Sequence, residues 1–122
     1  MFNPVFDAEY PNQIIKPAAK LKILSINAQR QHGYLLIWGY VVNKSDQDLN
    51  HVVAVAECFS SSGTLIKKSD MLVDDMTTKP KQVSSFSIAV DDTPDIKDVK
   101  ISFKHFLAEK IEVDGYTTLR LA

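Results

Sequence analysis

Apolar and polar residues alternate along much of this chain with the two-residue period of a β-strand. Each of the two clearest segments predicts a half-buried strand, because successive side chains of a strand point to opposite faces of the sheet. No segment repeats its apolar residues with the 3.6-residue period of an amphipathic helix. The residues that share one face in the two segments are Phe86, Ile88 and Val90, and then Val99, Ile101, Phe103 and His105.

Two other segments are almost continuously apolar, YLLIWGYVV at 34–42 and VVAVAECF at 52–59. Their β-branched and aromatic residues, and Gly39 inside the first segment, favour strands over a buried helix. In the second segment Glu57 occupies one face, and a buried carboxylate needs a partner. The opposite face is therefore predicted to point inward, and it carries Val52, Ala54, Ala56 and Cys58.

Turns and weaker strand patterns connect these segments. Residues 21–29 read as a strand whose alternation slips at Ile23-Leu24, which predicts a β-bulge, and Gln31-His32-Gly33 reads as a hairpin turn. Residues 64–73 form a more polar strand, in which Lys67-Lys68 indicates a sheet edge. Polar loops are predicted at 43–50 and 74–81, and a last short strand at 117–121 follows Asp114-Gly115. Six or seven short strands without βαβ alternation indicate an all-β antiparallel sandwich.

The 122 residues suit one domain, which we place at 20–122. Residues 1–19 contain three prolines and are predicted to be an extended arm or linker, either a tether lying on the domain or an arm that docks on a partner. This segment lacks the basic start and apolar centre of a signal peptide. The sequence leaves two alternatives: a cytosolic protein, or an expressed fragment whose leader was removed.

Charge and cysteine content exclude few functions, but they give no support for nucleic-acid binding, membrane binding or a disulfide. The net charge of −1 gives no steering toward nucleic acid or an anionic membrane, and no apolar run approaches the ~18 residues of a membrane span. Cys58 is the single cysteine, so no intrachain disulfide can form. Its place in an apolar strand predicts a buried, unreactive thiol.

A known family resembles one part of the chain. The segment Gly39-Tyr40-Val41-Val42-Asn43-Lys44-Ser45 is similar to the G-x-V-x-N-x-S core of the FxLYD family of bacterial immunoglobulin-like domains. The similarity continues over about residues 34–90, through Phe59, Gly63, Pro80 and Phe86, with Ser60 where the family has Asp. The resemblance implies an immunoglobulin-like antiparallel β-sandwich of six to seven strands. It also implies a non-enzymatic module, commonly on extracytoplasmic or lipid-anchored bacterial proteins.

No constellation for catalysis, metal or a cofactor is predicted. His32, His51 and His105 lie far apart in the sequence and lack the spacing of a zinc site. The acidic residues near 74–75 and 91–98 lack the glycine-punctuated spacing of a calcium loop. The serines at 60–62 lack the flanking glycines of a nucleophile elbow.

The candidate site is an aromatic pair. If one face of 34–42 lines the core, Trp38 and Tyr40 point away from it, either covered by the arm or forming a partner surface. We hypothesise a protein-interaction or assembly module, outside the cytoplasm of a bacterium, that binds through this sheet face or through the edge at Lys67-Lys68. The alternative is a small cytosolic inhibitor or immunity-type protein that masks one cognate partner.

Overall fold

The structure, a computed structural model, describes residues 18–121. Most of the arm predicted at 1–19 therefore lies outside the described residues. All regular elements between 18 and 121 are strands, which confirms the all-β prediction. They are β1 Leu21–Gln31, β2 Tyr34–Asn43, β3 Leu49–Asn50, β4 Val52–Phe59, β5 Leu65–Leu72, β6 Thr77–Thr78, β7 Val83–Asp91, β8 Asp98–His105, β9 Lys110–Ile111, β10 Val113–Asp114 and β11 Thr118–Arg120.

The strands form an immunoglobulin-like sandwich of two main sheets. The first sheet has the order β10-β1-β2-β7, and the second has the order β9-β8-β4-β5, with β11 also pairing with β8. All pairings are antiparallel except that of β10 with β1, where Val113 lies opposite Leu21. The six long strands agree with the six or seven that the sequence predicts.

The inner faces of the two sheets bury the predicted alternating residues. Phe86 on β7 and Phe103 on β8 meet edge to face across the sheets, with ring centroids 5.4 Å apart. Such aromatic contacts add about 0.5–1.5 kcal/mol beyond the burial of their area. The inward face of β4 is the small-residue face, as predicted, and Val52, Ala54, Ala56 and Cys58 are all buried.

The other face of β4 is also largely buried. Val53 and Val55 are 4% and 6% exposed although they point away from the core. Because β4 is a central strand, its outer side chains have neighbours on both β5 and β8. Glu57 lies in register between Lys68 and Lys100, so the carboxylate that the sequence placed outside has cationic neighbours.

The hairpin between β1 and β2 has the predicted turn and bulge. His32 and Gly33 have φ angles of 51° and 82°, as a two-residue type I′ turn requires. The register of β1 on β2 shifts between Ile23 and Ser25, so the bulge lies at Leu24.

Two predicted loops contain a pairing that the sequence does not indicate. Leu49–Asn50 pairs with Thr77–Thr78 to form a small third sheet, so the loops predicted at 43–50 and 74–81 are not wholly irregular. Leu49 is buried there, which explains an apolar residue in a polar segment. No helix among residues 18–121 is long and apolar enough to cross a membrane.

Candidate binding surface

The outward side chains of β2 form an aromatic column on the first sheet. Tyr34, Trp38 and Tyr40 are 51%, 37% and 50% exposed, whereas the alternate residues Leu35, Ile37 and Val41 are buried. The structure thus places both sequence-predicted site residues on the outer face. It adds Tyr34, which shares the two-residue period of Trp38 and Tyr40 and could have been found from it.

Uncharged polar side chains flank Trp38 and Tyr40 on both neighbouring strands. Trp38 lies between Asn27 of β1 and Ser87 of β7, and Tyr40 lies between Ser25 and Ser85. We call this surface the aromatic face. It comprises Tyr34, Leu36, Trp38 and Tyr40 with their strand neighbours Ser25, Asn27, Gln29, Gln31, Ser85, Ser87, Ala89 and Asp91. Asp91, opposite Tyr34 at one end, is the one charged residue among them, so the neighbours of Trp38 and Tyr40 at the centre are uncharged.

The spacing of the aromatic rings follows from strand geometry. Trp38 and Tyr40 are separated by two residues, which places their α-carbons about 7 Å apart. Tyr34 lies four residues before Trp38, at about 13 Å. Flat side chains at these intervals present a contact surface that extends along the strand.

The strand that carries these side chains is held firmly at its end. Asn43, the last residue of β2, is fully buried, and its Nδ2 donates to the carbonyl oxygens of Gln47 and Thr78, both at 2.8 Å. Its Oδ1 accepts from the backbone N and the Oγ of Ser45 at 2.9 and 2.7 Å. These bonds close the loop that follows β2, so the aromatic face stands on a rigid element.

The chain makes a tight turn after β4, at residues 60–64. The backbone N of Thr64 donates to Ser60 Oγ at 3.2 Å, and Gly63 has a φ of 86°. Serine therefore makes the turn bond at the position where the resembled family has Asp. The residue difference does not disturb this turn.

Three of the acidic residues form ion pairs within the fold. Asp92 pairs with Arg30, Asp98 with Arg120, and Asp114 with Lys44. Within residues 18–121 no group of three or more His, Cys, Asp or Glu side chains could hold a metal ion.

Cys58 lies inside the sandwich rather than in a site. Burial, with a smaller contribution from the carboxylate of Asp92, raises the pKa of the Cys58 thiol above its ordinary value. A raised pKa keeps the sulfur protonated at neutral pH and makes it a poor nucleophile. The structure thus agrees with the sequence interpretation of a buried thiol.

Comparison with known proteins places the chain by fold alone. No family model matches it, and no curated protein matches it. The FxLYD resemblance therefore stays a prediction.

Among solved structures, the C-terminal domain of wzt superposes with a TM-score of 0.60 at 14% identity, covering 92% of this chain and 79% of that one. A DUF1425 family member from Shewanella sp. pv-4 superposes with a TM-score of 0.52 at 10% identity, covering 78% of this chain and 89% of that one. Both similarities support an immunoglobulin-like β-sandwich.

Proposed function

We propose that this protein is a non-catalytic interaction or assembly module that binds another protein through the aromatic face. The observation that carries the proposal is the exposure of Tyr34, Trp38 and Tyr40 in one column on a central strand. Exposed aromatic residues in one patch are enriched at protein interfaces, and Trp and Tyr often supply much of the binding energy.

The rigidity of the column supports the same function. β2 pairs along its length with β1 and β7, and its end is fixed by Asn43. A partner that binds there would not have to order a loop, so little conformational entropy would be lost. The buried thiol and the paired carboxylates provide no comparable argument for catalysis.

A double substitution tests the proposal. We expect the Trp38→Ser/Tyr40→Ser variant to fold. In cells that make the protein natively, it should bind much less of its partner than the wild type does. The readout is the yield of a photocrosslink from an unnatural amino acid placed at Ser87, next to Trp38. The matched control is Met71→Ser/Leu72→Ser, which removes two exposed apolar side chains from β5 and should keep the crosslink. Equal yield from the two folded double variants would contradict the proposal.

A second candidate function is favoured by the uncharged neighbours of Trp38 and Tyr40. Hydroxyl and amide side chains beside flat aromatic rings can bind a neutral glycan, because sugar rings present both an apolar face and hydroxyl groups. A glycan array probed with the wild type and with the Trp38→Ser/Tyr40→Ser variant distinguishes glycan binding from protein binding. Glycan signals lost in the double variant, without any protein crosslink, would favour this candidate.

We also propose a location outside the cytoplasm, in the periplasm or cell envelope. The support is the resemblance to extracytoplasmic modules. Cell fractionation tests it. Recovery of the protein in the cytosol, bound to one partner, would instead support an inhibitor or immunity-type protein.

A further inference from the structure

One side of the sandwich is open between the two sheets. On the first sheet, β10 covers only Leu21 and Lys22 of β1, and no described strand pairs with the outer edge of residues 24–31. On the second sheet, β11 pairs with β8, and no described strand lies on its other side. We call the space between these two edges the β1–β11 cleft.

Two cavities lie along this cleft. The first, of about 250 Å³, is bordered by residues 23–26 of β1 and by Tyr116, Thr118 and Leu119. The second, of about 270 Å³, is bordered by residues 28–30 of β1, Leu35 and Leu121. Ile26, Ala28 and Leu121 are core-packed residues that stay only partly buried here. The core is therefore incomplete on this side of the described domain.

The β1 edge over residues 24–31 lacks the lysine and proline residues that often prevent strand addition. The opposite edge of the sandwich, β5, carries Lys67, Lys68 and Asp70. Between Leu24 and Gln31, β1 carries no lysine or proline, and its one cation, Arg30, is bound to Asp92 and to the carbonyl oxygens of Thr93 and Ile96. Unpaired backbone groups on an unguarded edge can pair with another chain. The bulge at Leu24 turns a half-exposed apolar side chain toward the first cavity.

We propose that the β1–β11 cleft binds an extended peptide segment of a partner protein, which pairs with residues 24–31 and inserts two apolar side chains into the cavities. The cavities border β1 about four residues apart. Side chains at i and i+4 of an added strand lie on one face, about 13 Å apart, and so match this spacing.

The charge of the cleft selects an uncharged segment. Arg30, the one charged residue that borders the two cavities, is paired with Asp92. The other groups that border them are apolar side chains, the phenol of Tyr116, the hydroxyls of Ser25 and Thr118, and the amide of Gln29. A charged residue in the inserted segment would lose its hydration without gaining an opposite charge. The cleft adjoins the aromatic face at Ser25 and Gln29, but neither Trp38 nor Tyr40 borders its cavities.

A selected peptide tests the proposal. We would select from a random peptide library on the full-length protein, expecting sequences with apolar residues at i and i+4 and no charge between them. The most enriched peptide, labelled with fluorescein, serves as the probe in anisotropy titrations. Leu24→Lys should weaken its binding about tenfold or more, because a lysine guards the edge and its charge would be desolvated by the peptide.

The control variant is Leu72→Lys. Leu24 and Leu72 are 50% and 43% exposed on edges at opposite sides of the sandwich. Leu72→Lys should change the affinity by less than about twofold, as a surface substitution outside the site does. Trp38→Ser/Tyr40→Ser should also bind the peptide normally, so failure of the aromatic-face proposal would leave this one standing.

Amide hydrogen exchange gives the decisive second readout. Among residues 24–31, we expect the amides that point to the outer edge, and not those that bond β2, to exchange fast in the free protein and to become protected when the peptide is added. Slow exchange there without peptide would overturn the proposal, since it would mean that a second copy or residues 1–17 already cover the edge. Equal affinity of the wild type and Leu24→Lys for the peptide would overturn it too.

Discussion

The backbone of Ser25 lies directly against the α-carbon of Gly39, where the register of β1 on β2 shifts. A Cβ on Gly39 would overlap the carbonyl oxygen of Ser25, and it would lie 2.9 Å from the Ser25 carbonyl carbon and 3.0 Å from Cζ of Phe86. Glycine is unfavourable inside a strand unless another group approaches closely. Here the bulged strand and the Phe86 ring occupy the space that a side chain would need.

Gly39→Ala is therefore expected to be strongly destabilising. The overlap is with backbone on one side and a core ring on the other, so the free energy of unfolding should fall by about 3 kcal/mol. Urea unfolding followed by tryptophan fluorescence measures it, with Trp38 as the natural probe. The control is Gly63→Ala, where nothing lies within 4 Å and only the φ of 86° opposes a side chain. A loss for Gly39→Ala no greater than for the control would show that the close approach is unimportant.

Asn43 provides a prediction about buried polar groups. Its side chain makes two donor and two acceptor bonds while fully buried. Asn43→Asp would keep the acceptor side but place a carboxylate oxygen against the carbonyls of Gln47 and Thr78. We expect a loss of about 3 kcal/mol or more at pH 7, because several bonds are lost and a charge is buried.

The pH dependence of that variant checks the mechanism. Since protonation would restore one donor and remove the charge, Asn43→Asp should lose less stability, relative to the wild type, at pH 4 than at pH 7. Asn50→Asp is the control, because Asn50 is exposed and accepts only from Thr77 Oγ1 among its side-chain bonds. The same pH dependence in both variants would contradict the assignment to buried carbonyl contacts.

Both positions carry local sequence signals that fit their roles. A glycine inside an apolar strand indicates close approach, and an asparagine at a strand end indicates a loop closed by its amide. The alternation at 86–90 and 99–105 likewise identified the core faces. Each of these inferences depends on neighbours in the chain, which the sequence displays directly.

The features that escaped prediction depend on residues that are distant in the chain. The two-residue strands Leu49–Asn50 and Thr77–Thr78 have no periodicity of their own and exist only because they pair. Ile96 is fully buried although it lies in the turn-rich segment between β7 and β8. The β1–β11 cleft likewise depends on which edges the fold leaves side by side. Tyr34 is the exception, because its two-residue period with Trp38 was visible in the sequence.

The contact between Phe86 and Phe103 predicts coupled stabilities. Each ring is buried, and their edge-to-face packing joins β7 of the first sheet to β8 of the second. Phe86→Leu and Phe103→Leu should each destabilise the domain, with a coupling free energy of about 0.5–1.5 kcal/mol in the double-mutant cycle. The control cycle combines Phe103→Leu with Leu65→Ala, because Leu65 pairs with Phe59, five residues along β4 from the Ala54 that lies opposite Phe103. This cycle should be additive within about 0.5 kcal/mol. Additivity of the two phenylalanine substitutions would show that the aromatic geometry contributes nothing beyond burial.

The buried thiol of Cys58 predicts how stability changes in alkaline solution. Burial raises its folded pKa above the ordinary value of 9.0, so the unfolded chain releases this proton at a lower pH than the folded one does. The protonated thiol therefore contributes its full stabilisation of the fold below about pH 8.5–9, and this contribution is lost as the pH rises from there through the folded pKa.

Cys58→Ala removes the titrating group and retains the small side chain that Ala54 and Ala56 show to fit this face. The variant should be less stable than the wild type at pH 7, and the difference should shrink between pH 8 and pH 10 in urea titrations. A difference that stays constant over this range would show that ionisation of the thiol is not linked to unfolding.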